Sequence, residues 1–308
     1  MTRVSQPHAE LEALLDRIPV LQGHPRTVVE LPGGLTNQNL HVTTPVGDHV
    51  VRRFRGDAAL LGIDRDAEHL NTLAAAAAGV GAPVVDYRPD LGVLVIAYLD
   101  GMTFDNASFA VPGNVPRVAE ACRRLHAGPR FHGDFDMVRR RTAYRRTVAE
   151  RGYALFAGYD DHEAAWQRVA AALAVDAPTS VPCNNDLLAG NIVDDGSRLW
   201  LIDYEYSGNN DPAFELGNTA TECELDDDQV AELTACYFGR ETRRDLARVR
   251  LQALASQYGW SLWGAIQASA SDLDFDFLAW GQERFDKAAA TFRSPDLERL
   301  LEEVTSGG

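Results

Sequence analysis

The sequence predicts an α+β protein with a small sheet-bearing N-terminal part and a larger, mainly helical C-terminal part. Short runs of alternating apolar and polar residues, broken by Gly and Pro turns, fill the first hundred residues and indicate an antiparallel sheet. From residue 115 onward, apolar residues recur every three or four positions, which is typical of helices. Asp100-Gly101 between them is a natural hinge, so we expect one lobe over residues 1–99 and another over residues 100–308.

The N-terminal lobe begins with a short amphipathic helix, because Leu11, Leu14, Leu15 and Ile18 lie on one stripe. Five strands follow, and a helix separates the third strand from the fourth. The predicted strands cover residues 28–31, 40–44, 49–54, 83–87 and 93–98, and the two helices cover residues 8–18 and 63–78.

A glycine-rich turn, Gly33-Gly34-Leu35-Thr36-Asn37, joins the first two strands. Backbone amides in such a turn can close over an anion, and Thr36 and Asn37 add side-chain donors. The turn is weak evidence alone, because Gly-Gly between strands is usually only a hairpin. It also lacks the strand-to-helix setting of a Rossmann fingerprint or a Walker A loop.

The C-terminal lobe is predicted to consist mainly of helices. They cover residues 118–126, 135–157, 162–174, 212–223, 227–238, 243–270, 275–292 and 295–304. Asp211-Pro212 is a good helix start, because Asp accepts free amides and Pro suits the first turn. His126 is interpreted as a packing or helix-end residue. An arginine cluster at positions 139, 140, 141, 145 and 146 is interpreted as a solvated helix face.

The most informative stretch runs from Cys183 to Asp211 and contains Asp186, Asn191 and Asp203. Apolar runs flank these residues, and a turn at residues 194–196 separates two short strands, so a hairpin should hold the polar ends side by side. Two carboxylates and an amide suit phosphoryl transfer, since one carboxylate accepts a hydroxyl proton and the other two groups hold magnesium. The alternative is a surface hairpin with ordinary Asp and Asn turn residues. It explains Asp186 and Asp203 poorly, because both abut apolar runs.

The spacing of Asp186 and Asn191 matches the catalytic loop of protein kinases, and Asp203 stands where their metal-binding Asp would. Kinases carry a lysine on the third strand, but Lys287 is the only lysine here, so Arg52 or Arg53 must serve. A one-residue change of strand register exchanges the two arginines, and the sequence leaves this open.

Aromatic residues are concentrated near the C-terminus, where Trp260 and Trp263 lie three positions apart and Trp280 follows. The simpler interpretation is a core seam between two helices. The more specific interpretation is an aromatic cage that binds an ammonium group, to which Glu205 adds a carboxylate and Tyr206 adds another ring. A cage can form the open end of a packed seam, so the two interpretations are compatible.

The composition narrows the class of protein. A formal charge of −16 argues against nucleic-acid binding and is compatible with a cationic substrate. We expect a cytoplasmic protein without a signal peptide or membrane segment. The four cysteines form no CxxC motif and are predicted to be reduced core residues.

Five segments together resemble the choline/ethanolamine kinase family, within the wider aminoglycoside-phosphotransferase-like group. They are GGLTNQN, VVRRFRG followed by IDRDAE, CNNDLLAGNI, LIDYEYSGNNDPAFELGN, and WSLWGAIQASASDLDFDFLAWGQERF. The resemblance runs in the family's order from about residue 31 to 292. It implies a bilobal, protein-kinase-like fold, ATP, magnesium, and phosphorylation of a hydroxyl on a small amine, and it leaves a homodimer open.

The resemblance also implies roles for individual residues. Asp186 corresponds to the catalytic base, and Asn191 and Asp203 correspond to the metal ligands. The nucleotide-binding residues would be Gly34, Leu35, Thr36, Asn37, Arg53 as the basic residue of the third strand, and Glu68 as its partner. Glu68 could equally be a solvated helix residue. The substrate-binding residues would be Glu205, Tyr206, Trp260, Trp263 and Trp280.

Two departures from the family pattern concern the site. The family usually has His where this chain has Asn184. In the family that histidine braces the loop and takes no part in the chemistry. Trp280 stands where Tyr is common. The remaining alternatives are a kinase of another amine, such as an aminoglycoside or thiamine, and a pseudokinase or amine-binding module.

Overall fold

The computed structural model describes residues 6–306. The chain divides into two compact units, of which the first contains Met1–Asp57 and Ala82–Asp100 and the second contains Ala58–Gly81 and Gly101–Gly308. Asp100-Gly101, which the sequence marks as a hinge, is thus one of the points where the chain passes between units. The nucleotide-binding and catalytic roles predicted for the two lobes stay predictions.

The first unit contains an antiparallel sheet. Five strands of the described residues form it, in the order β1-β2-β3-β5-β4. This confirms the predicted five-stranded sheet. A helix precedes it in the chain. The elements are α1 (Gln6–Leu15), β1 (Thr27–Leu31), β2 (Asn37–Thr44), β3 (Gly47–Phe54), β4 (Val84–Arg88) and β5 (Val93–Ala97).

Strand β2 starts three residues earlier than the sequence predicts, because Asn37 pairs with Phe54 and Asn39 pairs with Arg52. The glycine-rich turn is therefore shorter, at residues 32–36. One face of the sheet is apolar, since Leu40 and Val51 stand opposite each other and share a buried cluster with Ile18 of the segment after α1. Alternate residues of β2 and β3 lie on the other face.

The second unit is mainly helical, and its helix bounds lie close to the predicted ones. They are α2 (Arg65–Ala77), α3 (Asn114–His126), α4 (Met137–Arg151), α5 (Glu163–Ala174), α6 (Pro212–Glu222), α7 (Asp227–Phe238), α8 (Arg243–Ala270), α9 (Phe277–Arg293) and α10 (Asp296–Thr305). Asp64 caps α2 and Asp211 caps α6, each by accepting backbone N–H bonds of the first turn. Helix α4 ends at Arg151, six residues before the predicted end.

Short strands of the second unit frame the polar loop around Asp186. They are β6 (Met102–Thr103), β7 (Val181–Cys183), β8 (Ile192–Asp194), β9 (Leu199–Leu201) and β10 (Gly208–Asn210). Strands β8 and β9 form the predicted hairpin, with Ile192 opposite Leu201, and β7 pairs with β10. The residues before β8 and after β9 are therefore neighbours.

Helix α8 is buried along most of its length and packs against α9. A Cβ atom on Gly264 would lie 2.8 Å from the Cα atom of Gly281, so only glycine allows the two helices to cross this closely. This crossing brings Trp263 of α8 next to Trp280 of α9. Within residues 6–306, no helix combines the length and apolar character needed to cross a bilayer.

Candidate active site

The loop after β7 holds Asp186 and Asn191 in a fixed relationship. Asn191 Nδ2 donates a 2.9 Å hydrogen bond to the backbone oxygen of Asp186, and the N–H of Ile202 donates a 2.9 Å bond to the backbone oxygen of Asn191. The first bond joins the two loop positions, and the second joins the loop to the residue before Asp203. The structure therefore gathers the three residues that the sequence predicted to act together.

Asn184 connects both sides of this arrangement. Its side-chain Nδ2 donates to the backbone oxygens of Ile202 at 3.0 Å and Asp203 at 2.9 Å, and its Oδ1 accepts the N–H of Asp186 at 3.1 Å. Asn184 is fully buried. Asp203 has a φ of +65°, a left-handed conformation that costs free energy in a residue other than glycine. The hydrogen bond from Asn184 to the Asp203 oxygen helps to offset that cost. The bracing role inferred for this position agrees with these bonds.

Glu215 of α6 supports the same loop from behind, which the sequence did not predict. Its two carboxylate oxygens accept the backbone N–H groups of Asn184 at 3.0 Å and Asn185 at 2.7 Å. The side chain is fully buried, and this burial raises the pKa of Glu215 to about 7, although the two hydrogen bonds oppose the shift. A single titratable group thus accepts two backbone N–H groups of the loop around Asp186.

His126 and Cys183 lie beside Glu215, and the ligand atoms of all three fall within 4.8 Å of one another. His126 Nδ1 lies 2.7 Å from Tyr237 Oη, and its Nε2 lies 3.6 Å from Cys183 Sγ. Burial lowers the pKa of His126 to about 3, so the imidazole is neutral. These contacts confirm His126 as a packing residue. Cys183, Cys122 and Cys223 are buried, and all four thiols of the chain are unpaired.

Asp186 lies among several other carboxylates. Enclosure of its partly exposed carboxyl raises its pKa well above the usual range, the charges of Glu222, Asp203 and Glu205 raise it further, and Arg284 opposes the shift. Negative charge is thus concentrated at this point of the second unit. A divalent cation would relieve this repulsion, so the donor set fits a hard cation such as magnesium.

Glu222 at the end of α6 and Arg284 of α9 form an ion pair near Asp186 that the sequence did not reveal. Arg284 Nε donates to Glu222 Oε1 at 3.1 Å, and its Nη2 donates to Oε2. The same guanidinium stacks on Trp280, with its Cζ 3.4 Å from the ring centroid. The pair therefore connects an aromatic residue predicted to bind substrate with the carboxylate group around Asp186.

The predicted aromatic residues form one continuous cluster. Trp263 Nε1 donates a 2.7 Å bond to Tyr206 Oη, the Tyr206 and Trp260 centroids lie 4.9 Å apart, and those of Trp263 and Trp280 lie 5.1 Å apart. Tyr206, Trp260 and Trp263 are at most 5% exposed, and Trp280 is partly exposed. The cluster is thus a packed seam, and Trp280 forms its more open end.

Glu205 belongs to an ion-pair network with Arg65 at the start of α2. Arg65 Nη1 donates to Glu205 Oε2 at 3.2 Å and to Glu68 Oε2 at 2.7 Å. Glu68 is 1% exposed, so its interpretation as a solvated residue is wrong. Its predicted pairing with Arg53 stays a prediction, as does substrate binding by Glu205.

In the first unit, the glycine-rich turn can only be built with glycine at position 34. A Cβ atom on Gly34 would lie 2.1 Å from the backbone oxygen of Asn37. Thr36 and Asn37 are buried, and Asn37 Nδ2 donates to Thr36 Oγ1 at 3.2 Å. Anion binding by Gly34, Leu35, Thr36 and Asn37 stays a prediction.

The register of β3 separates the two candidate arginines. Val51 belongs to the apolar face, so Arg53 points to that side, where its Nη1 donates to Gln38 Oε1 at 2.7 Å. Arg52 is 7% exposed and shares the other face with Asn39, which stands directly opposite. Asn37, where the glycine-rich turn ends, lies on that same face.

The chain belongs to the phosphotransferase enzyme family, because residues 27–251 match the model of that family. This covers the loop around Asp186, the β8–β9 hairpin and the first third of α8. Within this class the chain belongs to the choline/ethanolamine kinase family. It shares 33% identity with a choline/ethanolamine kinase family protein from Mesorhizobium loti, whose crystal structure matches with a TM-score of 0.86 over 97% of this chain and 99% of that one.

Two other proteins extend this comparison. Ethanolamine kinase 2 of Mus musculus is 36% identical over 134 residues, which are 37% of this chain and 34% of that enzyme. The chain thus matches about a third of the length of that curated relative. The structure of choline kinase LicA from Streptococcus pneumoniae matches with a TM-score of 0.78 at 23% identity, over 92% of this chain and 99% of that one. These structural matches confirm the predicted protein-kinase-like fold class.

Proposed function

We propose that this protein is an ATP-dependent kinase that phosphorylates the hydroxyl of a small amino alcohol. The observation that carries the proposal is the convergence of Asp186, Asn191 and Asp203 on one braced loop and hairpin. Phosphoryl transfer depends mainly on positioning and charge stabilisation, so a rigid arrangement of this kind is what the reaction needs. Membership of a phosphotransferase family supports the same reaction.

Asp186 is the proposed catalytic base. Its carboxylate would orient the acceptor hydroxyl and accept its proton as the oxygen attacks the γ-phosphoryl group. The neighbouring carboxylates that raise its pKa also make it a stronger proton acceptor. Asn184 and Glu215 are proposed to be positioning residues, because both hydrogen-bond to the loop backbone. Contact with the acceptor hydroxyl is assigned to Asp186 alone.

Asn191 and Asp203 are the proposed magnesium ligands. Asn191 uses Nδ2 to bond the backbone of Asp186, so its Oδ1 is the atom available to a cation. Magnesium, when bound, would neutralise charge on the nucleotide phosphates. We propose that the backbone of Gly34 to Asn37 and the guanidinium of Arg52, rather than that of Arg53, bind those phosphates. Arg52 lies on the face where the glycine-rich turn ends.

The acceptor site is proposed to lie in the second unit, between the carboxylates and the aromatic cluster. Glu205 acts electrostatically on Asp186, and Tyr206, Trp263 and Trp280 form a continuous contact chain. The Glu222–Arg284 pair, which packs on Trp280, adds two groups that the sequence analysis missed. Trp260 supports Tyr206 from the buried side of the cluster. We also propose a cytoplasmic location, which the four unpaired thiols support.

The direct test is ADP release from ATP and magnesium with ethanolamine, choline, thiamine and several aminoglycosides. We expect a clear rate with a small amino alcohol and a ~10²–10⁴-fold lower kcat in Asp186→Ala. The fold should be retained, because this substitution removes a carboxyl whose charged form is disfavoured. Asp228→Ala, an exposed change at the start of α7, is the matched control.

Normal turnover in Asp186→Ala would contradict the proposed base. A rate confined to aminoglycosides would keep the reaction and overturn the amino-alcohol acceptor. Nucleotide binding that is indifferent to magnesium, with no ADP formed on any amine, would favour a binding module instead.

A further inference from the structure

Three aromatic rings surround the guanidinium of Arg140 in the second unit. The Cζ atom of Arg140 lies 4.8 Å from the ring centroid of Phe135, 5.4 Å from that of Tyr206 and 5.8 Å from that of Tyr144. Trp260 packs behind these rings, at centroid distances of 6.1 Å from Phe135 and 4.9 Å from Tyr206. This is the composition of a cation-binding aromatic cage, and the cation it holds is part of the chain.

Arg140 is fixed in this cage by hydrogen bonds to neutral acceptors. Its Nη1 donates to the backbone oxygens of Leu61 at 3.0 Å and Gly62 at 3.3 Å, and to Tyr144 Oη at 3.2 Å. Across the described residues 6–306, Arg140 forms no ion pair with a carboxylate. Its positive charge is therefore balanced by ring faces and carbonyl dipoles. The expectation of a solvated arginine face holds for Arg139, whose side chain is 89% exposed, and is wrong for Arg140 and for the buried Arg141.

The cage adjoins the proposed acceptor site. Tyr206 contributes a ring to the cage and also accepts the indole N–H of Trp263. Burial raises the pKa of Tyr144, Arg140 opposes this shift, and the charges of Glu205 and Asp186 add to it. Arg140 is therefore close enough to act electrostatically on the same tyrosine as the proposed base.

We propose that Arg140 is a specificity-determining residue that fills the aromatic cage and so excludes quaternary ammonium groups. A quaternary ammonium has no N–H donors and depends on open ring faces, whereas a primary ammonium can donate hydrogen bonds to carboxylates such as Glu205 and Glu222. Arg140 both covers the rings and repels a second cation. The acceptor is then a primary amino alcohol. This inference rests on the proposed kinase function and names the substrate class within it.

The test compares kcat/KM for ethanolamine and choline in the wild type and in Arg140 variants. We expect the wild type to prefer ethanolamine and Arg140→Ala to raise the choline-to-ethanolamine ratio at least about tenfold, which is the effect of one such cation–ring and charge interaction. Arg140→Lys keeps the charge and should keep the preference. Arg139→Ala, the exposed neighbour on α4, should match the wild type.

A second variant separates cage filling from a structural effect on the loop at Leu61. Tyr144→Phe keeps the ring and both backbone acceptors of Arg140, but it removes the 2.7 Å bond from Tyr144 Oη to the Leu61 oxygen and the 3.2 Å bond from Arg140 Nη1 to Tyr144 Oη. We expect this variant to keep the choline-to-ethanolamine ratio of kcat/KM within about threefold of the wild-type ratio. A change of that size is smaller than the one expected when Arg140 no longer fills the cage. A shift as large as that of Arg140→Ala would overturn cage filling as the cause.

Binding of tetramethylammonium, measured by calorimetry, tests the inference without turnover. Arg140→Ala should bind this cation at least about tenfold more tightly than the wild type, because ring faces are exposed and a like charge is lost. If the wild type phosphorylates no amino alcohol, the proposed function fails, and this titration still decides the role of Arg140. A wild-type preference for choline, or equal binding by both proteins, would overturn the inference.

Discussion

Asn184 donates its side-chain amide hydrogen to the backbone oxygen of Asp203 at 2.9 Å, between the loop after β7 and the residues after β9. The same side chain accepts the N–H of Asp186. One buried residue therefore joins the segment carrying the proposed base to the segment carrying a proposed metal ligand. An asparagine can do this because its amide is both a donor and an acceptor. This explains how the loop is braced without the histidine that the family usually has here.

Asn184→Ala should damage both stability and turnover. It leaves two backbone oxygens and one N–H without their partner in a buried place, at a cost of about 2–4 kcal/mol in the free energy of unfolding. Displacement of Asp186 and Asp203 should lower kcat by about 10²-fold. Chemical denaturation and steady-state kinetics measure the two effects, and exposed Asn106→Ala is the control. Retention of full kcat by a folded Asn184→Ala protein would show that this brace is dispensable.

Glu215 should make stability depend on pH. Its pKa is about 7 in the folded chain against 4.5 for an ordinary Glu, so the folded chain binds a proton that the unfolded chain releases between these values. The free energy of unfolding should therefore fall as pH rises from about 4.5 to 7, by about 3 kcal/mol from this group. Glu215→Gln should remove that part of the slope, and it should lower kcat because one loop N–H loses its acceptor.

Denaturation at several pH values between 4.5 and 8 measures this effect. The difference between the wild-type slope and the Glu215→Gln slope isolates the contribution of Glu215 from that of other groups, including Asp186. Glu302→Gln, an exposed change on α10, should keep the wild-type slope. Parallel curves for wild type and Glu215→Gln would show that the buried carboxyl does not titrate in this range.

Much of the architecture could be predicted from local patterns. Alternation predicts each strand of the sheet, the 3.6-residue period predicts α7 and α8 to their ends, and the spacing of Asp186, Asn191 and Asp203 predicts the hairpin that gathers them. These features depend on residues close together in the chain, where periodicity and turn chemistry are visible.

The supporting contacts could not be predicted, because they join distant residues that share no local pattern. Glu215 lies 31 positions from the Asn184 N–H that it accepts, and Glu222 lies 62 positions from Arg284. Arg140 stands within a run of arginines that resembles a solvated face, and only the packing of α4 turns it inward. Phe135 and Tyr144 lie within five positions of Arg140, but the carbonyl of Leu61 that holds its guanidinium is 79 positions away and leaves no local signal.

Asp203→Asn should slow turnover strongly while sparing the fold. The substitution removes a charge that the proposed magnesium site needs, so kcat should fall by about 10²-fold or more and more magnesium should be required for half-maximal rate. Asn tolerates the φ of +65° at this position, and loss of one carboxylate relieves repulsion around Asp186. The denaturation midpoint should therefore be unchanged or higher.

The reaction rate, measured at increasing magnesium concentrations, tests the expected change in magnesium requirement. Thermal denaturation of the same variant tests the expected stability. Exposed Asp228→Asn is the matched control for a change of one charge. An unaltered magnesium requirement in Asp203→Asn would exclude this carboxylate as a metal ligand. A large loss of stability would instead mean that Asp203 mainly serves the fold.

Arg52 and Arg53 should respond differently to truncation, since neighbouring residues of a strand point to opposite faces. Arg52→Ala should raise the KM for ATP at least about tenfold, as loss of a charge-assisted phosphate contact predicts. Arg53→Ala loses the 2.7 Å bond to Gln38, which in turn bonds Glu30, and should change the KM for ATP by less than about threefold. Steady-state kinetics at saturating acceptor decides between them, and each variant serves as the other's matched control. A larger effect of Arg53→Ala would return the phosphate role to the arginine that the family resemblance indicates.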